Sequence, residues 1–331
     1  MLKQTFISLI LILVSSFSYA DQPEYPNEDL TMTLEDGRTL GYAIYGSDTG
    51  TPLIYFYGAG GSRYMGRRLD SLATVQEIRL IVPDRPGIGQ SSYVKKRKLT
   101  DWPADVAALA DHLEIRKFSV MSESGGTPYA IACAWGLPNR INQAIVVSGV
   151  SPTTGDFDPD QLPKSLRRNL KLAQRAPLWF LRFNYRQIDK LISNNPDKFI
   201  ELASEQSSEP DKMVMSSKSE LAVMIAAFKE AFRQGYAGVA LETRLYARDW
   251  GIPLEEIDVP VLIYHGDLDQ NTPLVMAEYL ASKIPESVLT VFPGEGHATI
   301  MLNNGRQIFS VVQQSSFWVR HRHKTVIIVT N

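Results

Sequence analysis

Seven short runs of apolar, largely unalternating residues constrain this chain most: 39–45, 52–56, 79–82, 118–121, 144–148, 261–265 and 288–292. A strand without polar/apolar alternation is buried on both faces, which is the condition of strands in a largely parallel sheet covered by helices. Helical patterns lie between the runs, as at 100–113, where Thr100 can cap the first turn and Val106, Leu109 and Leu113 recur on one face. The expected class is therefore α/β, a mostly parallel central sheet flanked by helices. The alternation stops after Ser148 and resumes near Val259. Residues 153–250 carry no strand pattern, and Leu221, Met224, Ile225, Phe228 and Phe232 form a helical stripe, so this block reads as a helical insertion on the sheet. The 331 residues then divide into a core built from 21–152 and 251–318, an inserted helical cap at 153–250, and a tail at 319–331. Within that tail, 325–329 is apolar and β-branched and has no assigned role.

Residues 1–20 differ from the rest. Lys3 is their only charge, 6–14 is an apolar run, and Ser18 and Ala20 put small residues where a signal peptidase reads. A cleavable secretory signal is expected. The apolar run is short of the roughly 20 residues a bilayer span needs. The expectation is an exported protein, periplasmic or secreted, with no stable membrane span after cleavage; an uncleaved N-terminal anchor is the alternative. The single cysteine, Cys133, excludes an intrachain disulfide, a multi-cysteine zinc site and a dithiol pair. Its apolar helical setting, 129–135, suits a small buried hydrophobe. With 34 Lys plus Arg against 36 Asp plus Glu, the net charge of −2 gives no broad attraction to nucleic acid or to an anionic membrane.

Residues 117–129 read as a strand, then Ser122-Glu123-Ser124-Gly125-Gly126, then a helix. A serine hydroxyl is a poor nucleophile unless it is exposed, beside a base, and beside donors for the oxyanion it creates. A sharp strand-to-helix turn supplies the exposure and needs small residues two before and two after the nucleophile, places held here by Ser122 and Gly126. The acid and then the histidine should follow in the chain. His265, His297, His321 and His323 lie downstream; His265 is set aside because it ends a strand and precedes the candidate acid. His297 lies in a Gly-rich loop after the last core strand. Asp269 follows the preceding strand and is placed to hold the imidazole tautomer. Asp267 competes for the acid role; Asp269 is preferred because the loop must first turn away from the strand. For the oxyanion, one backbone donor is Gly125 at the start of the helix and the other is Ala59, in the glycine-rich loop after residues 52–56.

These motifs, with Asp84-Arg-Pro-Gly-Ile-Gly-Gln-Ser91, the insertion, His265-Gly-Asp-Leu-Asp269 and Pro293-Gly-Glu-Gly-His297, resemble successive motifs of the α/β-hydrolase fold family, from about residue 31 to about 317. The resemblance implies a Ser-His-Asp hydrolase with a helical cap. Three positions depart from the family's usual residues: Tyr57 stands where histidine is common, Gly60 where proline is common, and Ser122 where glycine is usual. Tyr57 is expected to pack rather than to bring its phenol to the pocket.

The expected activity is hydrolysis of a carboxylic ester or similar small acyl substrate through an acyl-enzyme, with no metal or organic cofactor required. A proline-type aminopeptidase on the same fold would need cap carboxylates for the substrate amine, for which Glu205, Glu209, Asp211 and Glu220 are candidates. A non-catalytic ligand-binding protein is the third reading; it does not require Ser124, Asp269 and His297 together. A carboxylate nucleophile, as a dehalogenase or epoxide hydrolase would use, is disfavoured by Ser124, with Glu123 expected to point elsewhere on the turn. Gly58-Ala-Gly60 and Gly87-Ile-Gly89 do not complete a dinucleotide fingerprint, since Arg63 and Ser92 hold the third-glycine positions. Residues 95–98, Lys-Lys-Arg-Lys, read as a solvated loop, and His321 with His323 has metal-like spacing without a third ligand. Trp179, Phe180, Phe183 and Tyr185 are either core or the lining of an apolar pocket.

Overall fold

The computed structural model describes residues 25–205, 207–313 and 326–329. Among the described residues nine strands form one sheet: β1 (Leu30–Thr33), β2 (Thr39–Gly46), β3 (Thr51–Phe56), β4 (Ile78–Pro83), β5 (Phe118–Glu123), β6 (Ile141–Val147), β7 (Val261–Gly266), β8 (Ser287–Phe292) and β9 (Val326–Val329). Their order is β1-β2-β4-β3-β5-β6-β7-β8-β9. β2 runs antiparallel to β1 and β4, and every pairing from β4 to β9 is parallel. The seven predicted runs match β2 to β8, each with its ends moved by up to three residues. Part of the tail without an assigned role joins the sheet, because 326–329 pairs with 288–291 of β8. The expected signal, residues 1–20, and the pair His321 and His323 lie outside the described residues. No described helix is long and apolar enough to cross a membrane.

Unalternating strands need apolar cover on both sides, and the core divides accordingly. Leu53 and Tyr55 of β3 face one cluster while Ile54 and Phe56 face the other; Leu262 and Tyr264 of β7 divide from Val261 and Ile263 in the same way. The helices of the core before the insertion are α1 (Asp70–Val75), α2 (Trp102–His112) and α3 (Thr127–Gly136). α2 begins later than predicted. A 3-10 turn, Leu99–Asp101, precedes it, and the local side-chain cap is Asp101, whose Oδ2 accepts Lys98 N at 2.8 Å; Thr100 does not serve that role.

Between β6 and β7 the described residues form six α-helices: α4 (Lys164–Arg175), α5 (Leu178–Asn194), α6 (Pro196–Ser204), α7 (Glu209–Ser216), α8 (Lys218–Ala231) and α9 (Ala237–Ala247). Leu181, Tyr185, Ile188 and Phe228 join the cluster that also holds Leu53 and Tyr55, so this block shares the core of one sheet face. A buried ion network fastens it further. Glu242 on α9 lies 2.5 Å from Arg85 Nε and 3.3 Å from Arg97 Nη2, and Tyr129 and Tyr246 donate to it at 3.1 Å. Arg97 is therefore drawn inside, out of the basic run expected to be solvated, because Glu242 and the Tyr129 ring give its guanidinium a partner; Lys95 and Lys96 are exposed. α10 (Leu274–Lys283) follows β7, and α11 (Thr299–Ser310) follows β8.

Candidate active site

β5 delivers its last residue, Glu123, straight into a 3-10 turn over Ser124–Gly126, and α3 follows without a break. Ser124 has φ +51°, a left-handed conformation that costs a non-glycine residue of order 1–3 kcal/mol. The turn is over-determined: Thr127 Oγ1 donates to Ser124 O at 2.8 Å, and a Cβ on Gly126 would collide with Phe56 O. Ser122 fits the tight place usually given to glycine. It is fully buried, and its hydroxyl reaches Ile145 O at 3.4 Å.

Parallel strands end on the same side of a sheet, so the loops after β5, β7 and β8 converge. Asp269 and His297 meet there, Oδ2 to Nδ1 at 2.8 Å, while Asp267 is exposed and accepts Gly294 N. Asp269 Oδ1 accepts Asn271 N and Thr272 N, both at 2.9 Å, and Thr272 Oγ1 lies 2.7 Å from Oδ2. Burial opposes the Asp269 charge, but the facing His297 imidazole, His265 and the Thr272 amide outweigh it and hold the carboxyl below its ordinary value. Burial also disfavours a charged His297, yet Asp269 and then Asp211 and Glu123 raise its pKa above 6.5. His265 goes the other way: burial lowers its pKa, and Nε2 is held by Thr272 O at 2.6 Å.

Ser124, His297, Gly58, Ala59 and Gly125 line one cavity of about 220 Å³. Among the described residues the side-chain partners of the His297 ring are Asp269 and Thr272 rather than Ser124 Oγ; nucleophile–base pairs often tighten only when substrate binds. A Cβ on Gly125 would stand 3.0 Å from both Ala59 N and Ala59 Cβ, so the two residues expected to supply the backbone donors are close neighbours. The inserted helices supply much of the apolar wall through Leu166, Leu170, Val214, Met224 and Phe228.

Several expectations change. Trp179 and Phe183 are 68% and 53% exposed, Tyr185 is buried in the core, and Phe180 packs against it; none lines the cavity. Glu123 does line the cavity, with its carboxylate 2.5 Å from Tyr55 OH and 3.7 Å from Arg68. Tyr57 is buried and packs under the Arg85 guanidinium, as expected. Of the cap carboxylates, Glu205 and Glu209 are exposed, Glu220 is paired with Arg68, and Asp211 is buried against the His297 backbone. Ser148, Thr272 and Asp211 also hold the Asp269–His297 pair, a placement the sequence pattern does not mark as a group. Ser148 Oγ donates to His297 O at 3.0 Å, and the Thr272 hydroxyl stands beside both Asp269 and His297. An Asp followed three residues on by Thr is a local turn signal that could have marked Thr272; Ser208 three residues before Asp211 signals a helix start, but nothing local signals the contact with His297. Among the described residues no group of three or more His, Cys, Asp or Glu could hold a metal.

Comparison with known proteins agrees with this architecture. The family model for the alpha/beta hydrolase fold matches residues 51–304. A non-heme chloroperoxidase of Streptomyces lividans is 26% identical, with 82% of this chain and 93% of the relative covered. A proline iminopeptidase of Lactobacillus helveticus is 28% identical over 79% of this chain and 90% of its own. Among solved structures, an esterase from Rhodococcus superposes with a TM-score of 0.61 at 20% identity, covering 88% of this chain and 99% of that one. The sheet order, the strand-to-helix turn at Ser124 and the match over residues 51–304 together establish that the chain belongs to the α/β-hydrolase fold family.

Proposed function

We propose that this hydrolase cleaves a carboxylic ester or a similar small acyl substrate through a covalent acyl-enzyme on Ser124. The observation that carries the reading is a strained, cavity-facing Ser124 on the same cavity as a histidine whose other ring nitrogen is held by a buried carboxylate. Nδ1–H donates to Asp269, so the neutral His297 ring keeps Nε2 as its acceptor. Nε2 takes the Ser124 proton as Oγ bonds to the substrate carbonyl carbon, and the carbonyl oxygen becomes an oxyanion facing the Ala59 and Gly125 amides. The C–O bond to the alcohol then breaks, with the proton passing from His297 to the leaving oxygen. Water attacks the acyl-enzyme by the same proton route and releases the acid and Ser124. The limited, mostly apolar cavity favours small substrates.

A panel of short esters and aminoacyl amides, run on wild-type and Ser124→Ala protein, tests this. Ester hydrolysis lost in Ser124→Ala supports the reading, and its survival rejects it. An aminopeptidase is the second reading, favoured by the proline iminopeptidase relative and by Glu123, which could face a substrate amine. Amide cleavage abolished by acetylating that amine would select it. We further propose that the protein acts outside the cytoplasm after loss of residues 1–20; the N-terminus of the mature protein, read by mass spectrometry, tests this.

A further inference from the structure

α11 opens two residues after His297, and its first amides need acceptors. The residue at its N-cap is Ala298, which has no side-chain acceptor. The acceptor comes instead from α7 of the inserted block. Asp211 Oδ1 accepts Ala298 N at 2.8 Å and Thr299 N at 3.2 Å, while Oδ2 accepts His297 N at 2.9 Å and Ser208 Oγ at 2.6 Å. Asp211 is only 1% exposed, and a carboxylate at a helix N-terminus is favoured electrostatically. Gly296 permits the approach, since a Cβ there would collide with both the Asp211 carboxylate and Ser208 Oγ.

We propose that Asp211 is a positioning residue for His297: it clamps the backbone of the loop that carries the imidazole, so the inserted helices set where the base stands. The inference rests on His297 acting as base in the proposed hydrolysis. A capping residue that served α11 alone would need only its first amides. Asp211 also holds the amide of His297 itself, from a segment that lines the same cavity. The charged groups that act on the imidazole are Asp269 from the loop after β7, His265 at the end of β7, Asp211 from α7 and Glu123 from the end of β5. Three of these come from outside the Asp269–His297 pair: Asp211 and Glu123 favour the imidazolium, and a charged His265 would oppose it.

Asp211→Asn preserves shape and removes the charge. It is expected to lower kcat on a short aryl ester about tenfold with little change in KM, because a small displacement of a catalytic group is costly. It should also move the acidic limb of the kcat/KM profile, and the imidazole titration of His297 followed by NMR, to lower pH. The His297 signal is identified by its absence in His297→Gln. Ser208→Ala keeps the carboxylate but removes its side-chain donor; a loss of about two- to fivefold in kcat is expected. A fall in unfolding temperature alone, with kcat and the titration unchanged, overturns the proposal. If Asp211→Asn does not fold, wild-type kcat in Ser208→Ala overturns it. Survival of ester hydrolysis in Ser124→Ala would reject the serine-hydrolase reading instead; the NMR titration then decides alone whether Asp211 governs the imidazole.

Discussion

Asp269 Oδ2 stands 2.8 Å from His297 Nδ1 although 28 residues separate them in the chain. The contact follows from topology, because β7 and β8 are adjacent and parallel and their outgoing loops leave the sheet on the same side. The Asn271 and Thr272 amides and the Thr272 hydroxyl restrain the Asp269 carboxylate, which fixes the imidazole in turn.

Substituting the two candidate acids separates the proposed triad acid from a loop residue. Asp269→Asn would hold the wrong tautomer and should lower kcat by about 10⁴-fold. Asp267→Asn, which alters only an exposed contact with Gly294 N, should leave kcat near wild type. Steady-state kinetics on one ester checks both.

The pH profile carries a definite sign. His297 must be neutral to accept a proton, and its pKa is raised above 6.5 because Asp269 and its neighbours outweigh burial. Activity should therefore fall as pH drops through a midpoint above 6.5. A limb centred below that value would contradict the electrostatics described for the site.

Gly125→Ala probes the oxyanion donors. Its Cβ would stand 3.0 Å from both Ala59 N and Ala59 Cβ, so one donor must shift. Because loss of such a donor is costly in rate, kcat should fall at least about tenfold with the fold retained, read by kinetics beside a thermal melt.

Stability should depend on the buried carboxylate that ties α9 to the core. Glu242→Gln leaves Arg85 and Arg97 without their counter-charge and should cost about 3–5 kcal/mol in denaturant unfolding. Burial opposes the Glu242 charge, but Arg85 and Arg97 hold its pKa below 4.5. Its contribution is thus present above the ordinary carboxylate value and is lost as pH falls through the folded one. The substitution should flatten that acid-side loss.

Sequence pattern reached the features that are local in the chain. Unalternating apolar runs marked β2 to β8, and the turn at Ser124 was visible because small residues flank it at fixed spacing. Asp269 and His297 were found through strand ends, which chain order and parallel topology bring together. Side-chain destinations across long separations were not legible. Asp211 meets His297 across 86 residues, and Arg97 meets Glu242 across 145, with no periodic trace of either. Trp179 and Phe183 were misplaced because hydrophobicity does not say which face of α5 turns outward. The strand at 326–329 found its role only in β8, whose edge it pairs with.

In the proposed hydrolysis Ser124 is the nucleophile. Folded protein treated with a fluorophosphonate and digested for mass spectrometry tests it most directly. One phosphonyl adduct is expected, located on Ser124 and absent from Ser124→Ala. An unmodified Ser124 under conditions where the protein remains folded, or an adduct that persists in Ser124→Ala, would contradict it.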